Sequence, residues 1–206
     1  MTGEIGRGIS LLHELDQTLA ALLKRELPGR DQITVSFAAP DDQFSVKPPA
    51  VDLFLYDVRE NVELRSNDEV VERQTDWTSI RYRPPVRVDA SYLITAWPGG
   101  GSGQSDASED EHMLLSAVMR VLLRFPKLPR ELLNGSLARQ DWPLPVSTLQ
   151  PGRLQSLGEF WQALGGKPKA ALNYTVTLPV DVSEPETQPL VIDREIRMRL
   201  DTQAPS

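Results

Sequence analysis

The chain has 206 residues, 40% hydrophobic and 25% charged, which is ordinary for a globular fold and enough for one sizeable core. Its 22 Lys and Arg against 29 Asp and Glu leave a formal charge of −7, which argues against nucleic acid as a partner, because phosphate binding needs a basic face. There is no cysteine, so disulfides, thiolate metal sites and cysteine nucleophiles are excluded, and no run approaches the ~20 apolar residues of a bilayer span.

The first residues lack the basic start, unbroken apolar run and small-residue cleavage site of a secretory signal. A cytoplasmic protein without direct membrane insertion is expected. Ile5, Ile9, Leu12, Leu15, Leu19 and Leu22 fall three or four apart and predict an amphipathic helix, stopped by Pro28-Gly29. Ile33, Val35 and Phe37 alternate with Thr34 and Ser36 as a half-buried strand, and Asp41–Pro49 reads as a loop. Val51–Tyr56 is almost continuously apolar, the pattern of a strand covered on both faces. A turn at Asn61 and a short piece at Val62–Leu64 follow. Ser66–Pro85 is polar and reads as irregular, with Trp77, Ile80 and Tyr82 isolated.

Val86–Trp97 has the longest alternation in the chain and predicts its longest strand. Residues 98–108 are rich in Gly and Ser and are expected to be a flexible loop. Ser108-x-x-Glu111 reads as a capping box ahead of a helix whose face is His112, Leu115, Met119 and Leu122, stopped by Pro126. Pro129 starts another helical turn, with Gly135 as its stop. Leu154, Leu157, Trp161 and Leu164 share one more helical face, closed by Gly165-Gly166. Leu172–Val180 and Leu190–Leu200 alternate as strands across a Pro-rich acidic turn, and a wide hairpin between them is possible. With 17 prolines and no strict strand–helix alternation, the order predicts an α+β fold. Its sheet is mixed and mostly antiparallel, with amphipathic helices packed on it.

Chemistry is thinly represented. His13 and His112 stand outside any HxxxH or HxxE spacing. Gly99–Gly103 follows a strand and precedes a helix, but it lacks the G-K-[ST] of a phosphate loop. Asp106, Glu109, Asp110 and Glu111 would repel phosphate there, and they read better as first-turn carboxylates facing a helix dipole than as a cation site. Asp41-Asp42 reads as a turn. Asp57 and Glu60 form a conceivable acid/base pair, outweighed by a role in turns and surface ion pairs. No enzyme, cofactor or metal reading gathers two independent supports.

Several phrases occur together. Leu55-Tyr56-Asp57 precedes Glu60-Asn61; Tyr92-Leu93-Ile94-Thr95-Ala96-Trp97 follows Arg83-Pro84-Pro85; then come Glu111-His112 and Trp161-x-Ala163-Leu164-Gly165. In this order, across roughly residues 5–180, the series resembles the N-terminal domain of the cap, or tube-and-sheath terminator, proteins of extracellular contractile injection systems, which are similar to the tail terminators of contractile phages. The resemblance implies one terminator-like domain over residues 1–200 with 201–206 as a tail. It implies a homohexameric ring at the end of the particle distal to the baseplate, with the inner tube protein and the sheath protein as partners. It carries no catalytic residue. Larger relatives continue beyond this domain. A baseplate adaptor or assembly chaperone of the same particle is the second reading, and an enzyme on a misread fold the third.

A terminator needs a surface rather than a pocket. Strand addition suits that need, because main-chain hydrogen bonds supply affinity with little demand on sequence. Leu190, Ile192, Ile196, Met198 and Leu200 are therefore the candidate interface residues, with an ordinary sheet strand as the plainer alternative.

Overall fold

The computed structural model describes residues 11–29, 31–40, 46–66, 68–76, 78–99, 107–150, 156–184 and 186–189. In chain order the elements are α1 (Leu11–Glu26), β1 (Thr34–Ser36), β2 (Ala50–Glu60), β3 (Val70–Arg73), β4 (Thr78–Tyr82), β5 (Val86–Trp97), α2 (Ala107–Arg124), α3 (Gly135–Arg139), β6 (Val146–Thr148), α4 (Leu157–Ala163), β7 (Ala171–Val180) and β8 (Glu186–Pro189). Single 3-10 turns occupy Val62–Leu64 and Arg130–Leu132. The fold is α+β, as the sequence predicts.

The chain forms two compact units, Met1–Leu64 with Arg87–Val180, and Arg65–Val86 with Asp181–Ser206. The first holds a five-stranded sheet in the order β1-β2-β5-β7-β6. β1 pairs with β2 in parallel, while β2 with β5 and β6 with β7 are antiparallel. β5, the strand of longest alternation, lies at the centre.

One face of this sheet carries the helical core. Leu15, Leu19, Leu22 and Leu23 of α1 are fully buried, as the three-and-four spacing requires. They meet Val51, Leu53, Tyr92, Ile94, Tyr174 and Val176 from the sheet, and Leu115, Val118 and Leu122 of α2. The α2 stripe therefore runs through the valines, and His112 is exposed. Thr18 is tolerated inside α1 because its hydroxyl donates to the Glu14 carbonyl at 2.8 Å. Glu26 ties elements together, accepting from Arg25 at 2.8 Å and from Arg124 of α2 at 2.7 Å.

α4 packs on the opposite face. Phe160 packs on Phe54 of β2, with ring centroids 6.1 Å apart, and the neighbouring Trp161 is buried. Ser156 caps α4 by accepting from the Glu159 N–H at 3.2 Å, and Gly165 follows the helix with φ of 68°, a conformation that favours glycine.

The second unit holds a three-stranded antiparallel sheet, β3-β4-β8. Its hairpin replaces the irregular segment expected between Ser66 and Pro85. Tyr82 donates to Glu72 across the hairpin at 2.8 Å, and Arg81 pairs with Glu69 at 3.4 Å.

Three further expectations change. α2 opens at Ala107, so Ser108 lies within its first turn, and the Glu111 carboxylate is taken by Lys169 rather than by the helix end. Gly135 starts α3 instead of stopping a helix: its lack of a Cβ leaves room for the Glu14 carboxylate, which accepts from the Ser136 N–H at 2.8 Å. Glu186–Pro189, expected within the Pro-rich acidic turn, forms β8 and pairs with β4 of the small sheet. Ile5, Ile9, Asp41-Asp42, Trp77, Leu154, most of the 98–108 loop and the whole of Leu190–Leu200, with any hairpin it forms, lie outside the described residues.

Candidate partner interface

The sequence phrases gather at two places in the first unit. One is the bulge of β2. Leu55 stands opposite Tyr92 and Asp57 opposite Ser91, so Tyr56 is an extra residue that bends the strand. Its hydroxyl donates to the Asn173 side chain on β7 at 3.3 Å. Asp57 accepts two bonds from Arg59, at 2.6 and 2.7 Å. Glu60 is three positions further along, hence on the other side of the strand, and the acid/base pairing with Asp57 does not form. Asn61 ends β2. Its N–H donates to the Arg87 carbonyl at 2.8 Å, and its amide donates to both oxygens of Asp89 at 3.1 and 3.2 Å. Asp89 also accepts from Thr177 at 2.7 Å, and Ser91 bonds Thr175 at 3.1 Å. This polar ladder lies on the part of the sheet beyond α4. Arg87 covers the exposed Trp142 at 4.4 Å, and partial burial lowers its pKa.

The other place is a groove of ≈ 690 Å³ lined by Trp97, Glu111, His112, Trp161, Gly165 and Lys169, among others. Lys169 sits 4.6 Å over the Trp97 ring and pairs with Glu111. Gly166 packs closely there: a Cβ would lie 3.2 Å from the Pro40 carbonyl and 3.4 Å from the Trp161 ring, so a side chain fits only if those neighbours shift. Leu164 caps α4, and Leu93 is buried beside Phe54 on β5. These aromatic and glycine positions therefore organise packing. Among the described residues no group of three or more His, Asp or Glu is placed to hold a metal.

Sequence reasoning missed two buried polar groups. Tyr92 donates to Asp16 of α1 at 2.8 Å; burial first, and the Asp16 charge after it, raise the pKa of the tyrosine, and burial also raises Asp16. Asp52 is fully buried in β2. Its Oδ1 accepts from the Ala38 N–H at 3.1 Å, its Oδ2 has no hydrogen-bond partner among the described residues, and burial pushes its pKa up to about 6. A lone carboxylate inside the Val51–Tyr56 apolar run was the available signal.

Residues 14–194 match the family described as the Pvc16 N-terminal domain. The chain belongs to the Pvc16 N-terminal domain family. Two solved structures share its fold. One is the sheath/tube terminator of the PVC extracellular contractile injection system in the extended state, with a TM-score of 0.64 and 24% identity over 94% of this chain and 64% of that one. The other is the tube-terminating cap of the anti-feeding prophage, with a TM-score of 0.59 and 23% identity over 90% of this chain and 60% of that one. The chain thus spans less than two thirds of either protein. No curated protein matches it. No described helix is long and apolar enough to cross a membrane.

Proposed function

We propose that this protein is a structural cap of a contractile injection particle, ending the growth of its tube and sheath. The observation that carries the reading is the Pvc16 N-terminal domain match across residues 14–194, joined to the fold shared with a sheath/tube terminator and a tube-terminating cap. Residues 1–200 act as one terminator-like domain within a homohexameric ring at the baseplate-distal end. The ring contacts the inner tube protein and the sheath protein, and the chain is made in the cytoplasm and delivered to the particle there. The work is done by surfaces, without a catalytic residue or cofactor.

Electron microscopy of particles made with and without the protein tests the reading. Particles lacking it should have overlong or open tubes, and labelled protein should sit at the end opposite the baseplate. Label at the baseplate indicates the adaptor reading. Label absent from finished particles of defective assembly indicates a chaperone. Either result overturns the cap.

A further inference from the structure

α2 carries a second stripe on the side turned away from the core. Its core stripe is Leu115, Val118, Val121 and Leu122. On the other side Glu109, Met113, Ser116, Arg120 and Leu123 follow one another at spacings of four, three, four and three, so they fall on one line along the helix. All five are exposed, and the apolar two strongly so, Met113 by 65% and Leu123 by 52%. Ser116, with Ala117 beside it, is small, and a hollow of ≈ 590 Å³ opens there, which Glu109, Met113 and Arg120 also line. The two ends of the stripe carry opposite charges. Glu109 lies in the first turn and Arg120 about one turn from the end. Each suits the dipole of its own helix, but that leaves the exposed methionine and leucine, at the same regular spacing, without a role.

We propose that this face docks on the same face of a second copy of the chain, with the two α2 helices antiparallel. The acidic end of each stripe then lies on the basic end of the other. Setting Glu109 opposite the second copy's Arg120 also sets Met113 opposite the second copy's Ser116, and the two-fold symmetry repeats both contacts. Each methionine enters the hollow beside the other copy's serine, a ridge in a groove. A parallel pairing would instead set Glu109 on Glu109 and Arg120 on Arg120, where like charges repel. Contact between identical surfaces closes at two copies, so it is distinct from the head-to-tail contact of a ring and does not rest on the cap reading. It is confined to one helix, hence small, and the pair forms only as concentration rises.

The absence of cysteine makes one test direct. Full-length protein carrying Glu109→Cys is mixed with full-length protein carrying Arg120→Cys and oxidised. A disulfide between the two different chains is expected. Neither variant alone should link, because like positions lie about 16 Å apart along antiparallel helices, too far for a disulfide. Charge reversal supplies a second test, read by sedimentation velocity over a concentration series. Glu109→Arg and Arg120→Glu each put like charges at both contacts and should weaken self-association at least tenfold. Mixed one to one, the two variants restore opposite charges at both contacts, and association returns, a rescue that misfolding cannot produce. Met113→Asp should also prevent pairing while leaving the thermal unfolding transition in place, since the side chain is exposed. No mixed disulfide in folded protein, links formed as readily by either cysteine variant alone, or charge-reversed variants that associate as the unaltered chain does would each overturn the proposal and leave the cap reading untouched.

Discussion

Asp52 shows how a single residue sets a pH response. Its carboxyl has an ordinary value of 3.8 and burial pushes it up to about 6 in the fold, against the smaller lowering effect of Ser36 and the Ala38 N–H. Between those values the unfolded chain has released a proton that the folded chain keeps. Stability therefore falls as pH rises from about 4 to about 6 and then levels, by about 3 kcal/mol for a shift near two units. Asp16, also raised by burial, acts in the same direction. Asp52→Asn should flatten the profile and stabilise the protein at pH 7.5 by about 1–2 kcal/mol, less than the full amount because the amide leaves an orphan N–H. Urea melts at pH 5 and 7.5 measure this; an unchanged pH dependence in the variant rules out Asp52 as its source. The residue was visible in the sequence, but its burial and its neighbours were not, since they depend on β1 bringing Ser36 and Ala38 beside it.

Elements differ in what they owe to their own sequence. α4 has seven residues, too few to stand alone, so it depends on its cap and on the sheet beneath it. Trp161→Ala should cost about 3–5 kcal/mol, and Ser156→Ala about 1 kcal/mol, in denaturant melts followed by circular dichroism. A small loss for Trp161→Ala means that α4 contributes little to the core. α1, β2, β5 and β7 were legible because each buries a long periodic set, from Leu15 to Leu23 in α1 and from Leu172 to Leu178 in β7. β3 and β4 were not, because VVER and TSIRY are short, bury no apolar side chain fully and are held by cross-strand pairs such as Tyr82–Glu72 rather than by a core. β6, with three residues, owes its state to β7. At the groove the sequence offered Trp97, His112, Trp161 and Gly165, but Lys169 and Glu111 meet there only through a contact 58 positions apart along the chain.

At the scale of the whole molecule, the cap reading demands that one surface recruit the particle. Removing residues 190–206 should yield particles without a bound cap, seen as open or overlong tubes by electron microscopy. If the shortened protein folds and still caps particles of normal length, the Leu190–Leu200 run is not the contact. The order β1-β2-β5-β7-β6 carries a temporal consequence. β5 is made by residue 97, yet its second neighbour is complete only at residue 180. On a ribosome adding about 5–20 residues per second, the central strand waits on the order of ten seconds with one side unsealed. Pairings so distant along the chain form slowly. A nascent chain therefore cannot present the finished sheet, and a growing tube meets a stopper only after the stopper's own synthesis has passed β7.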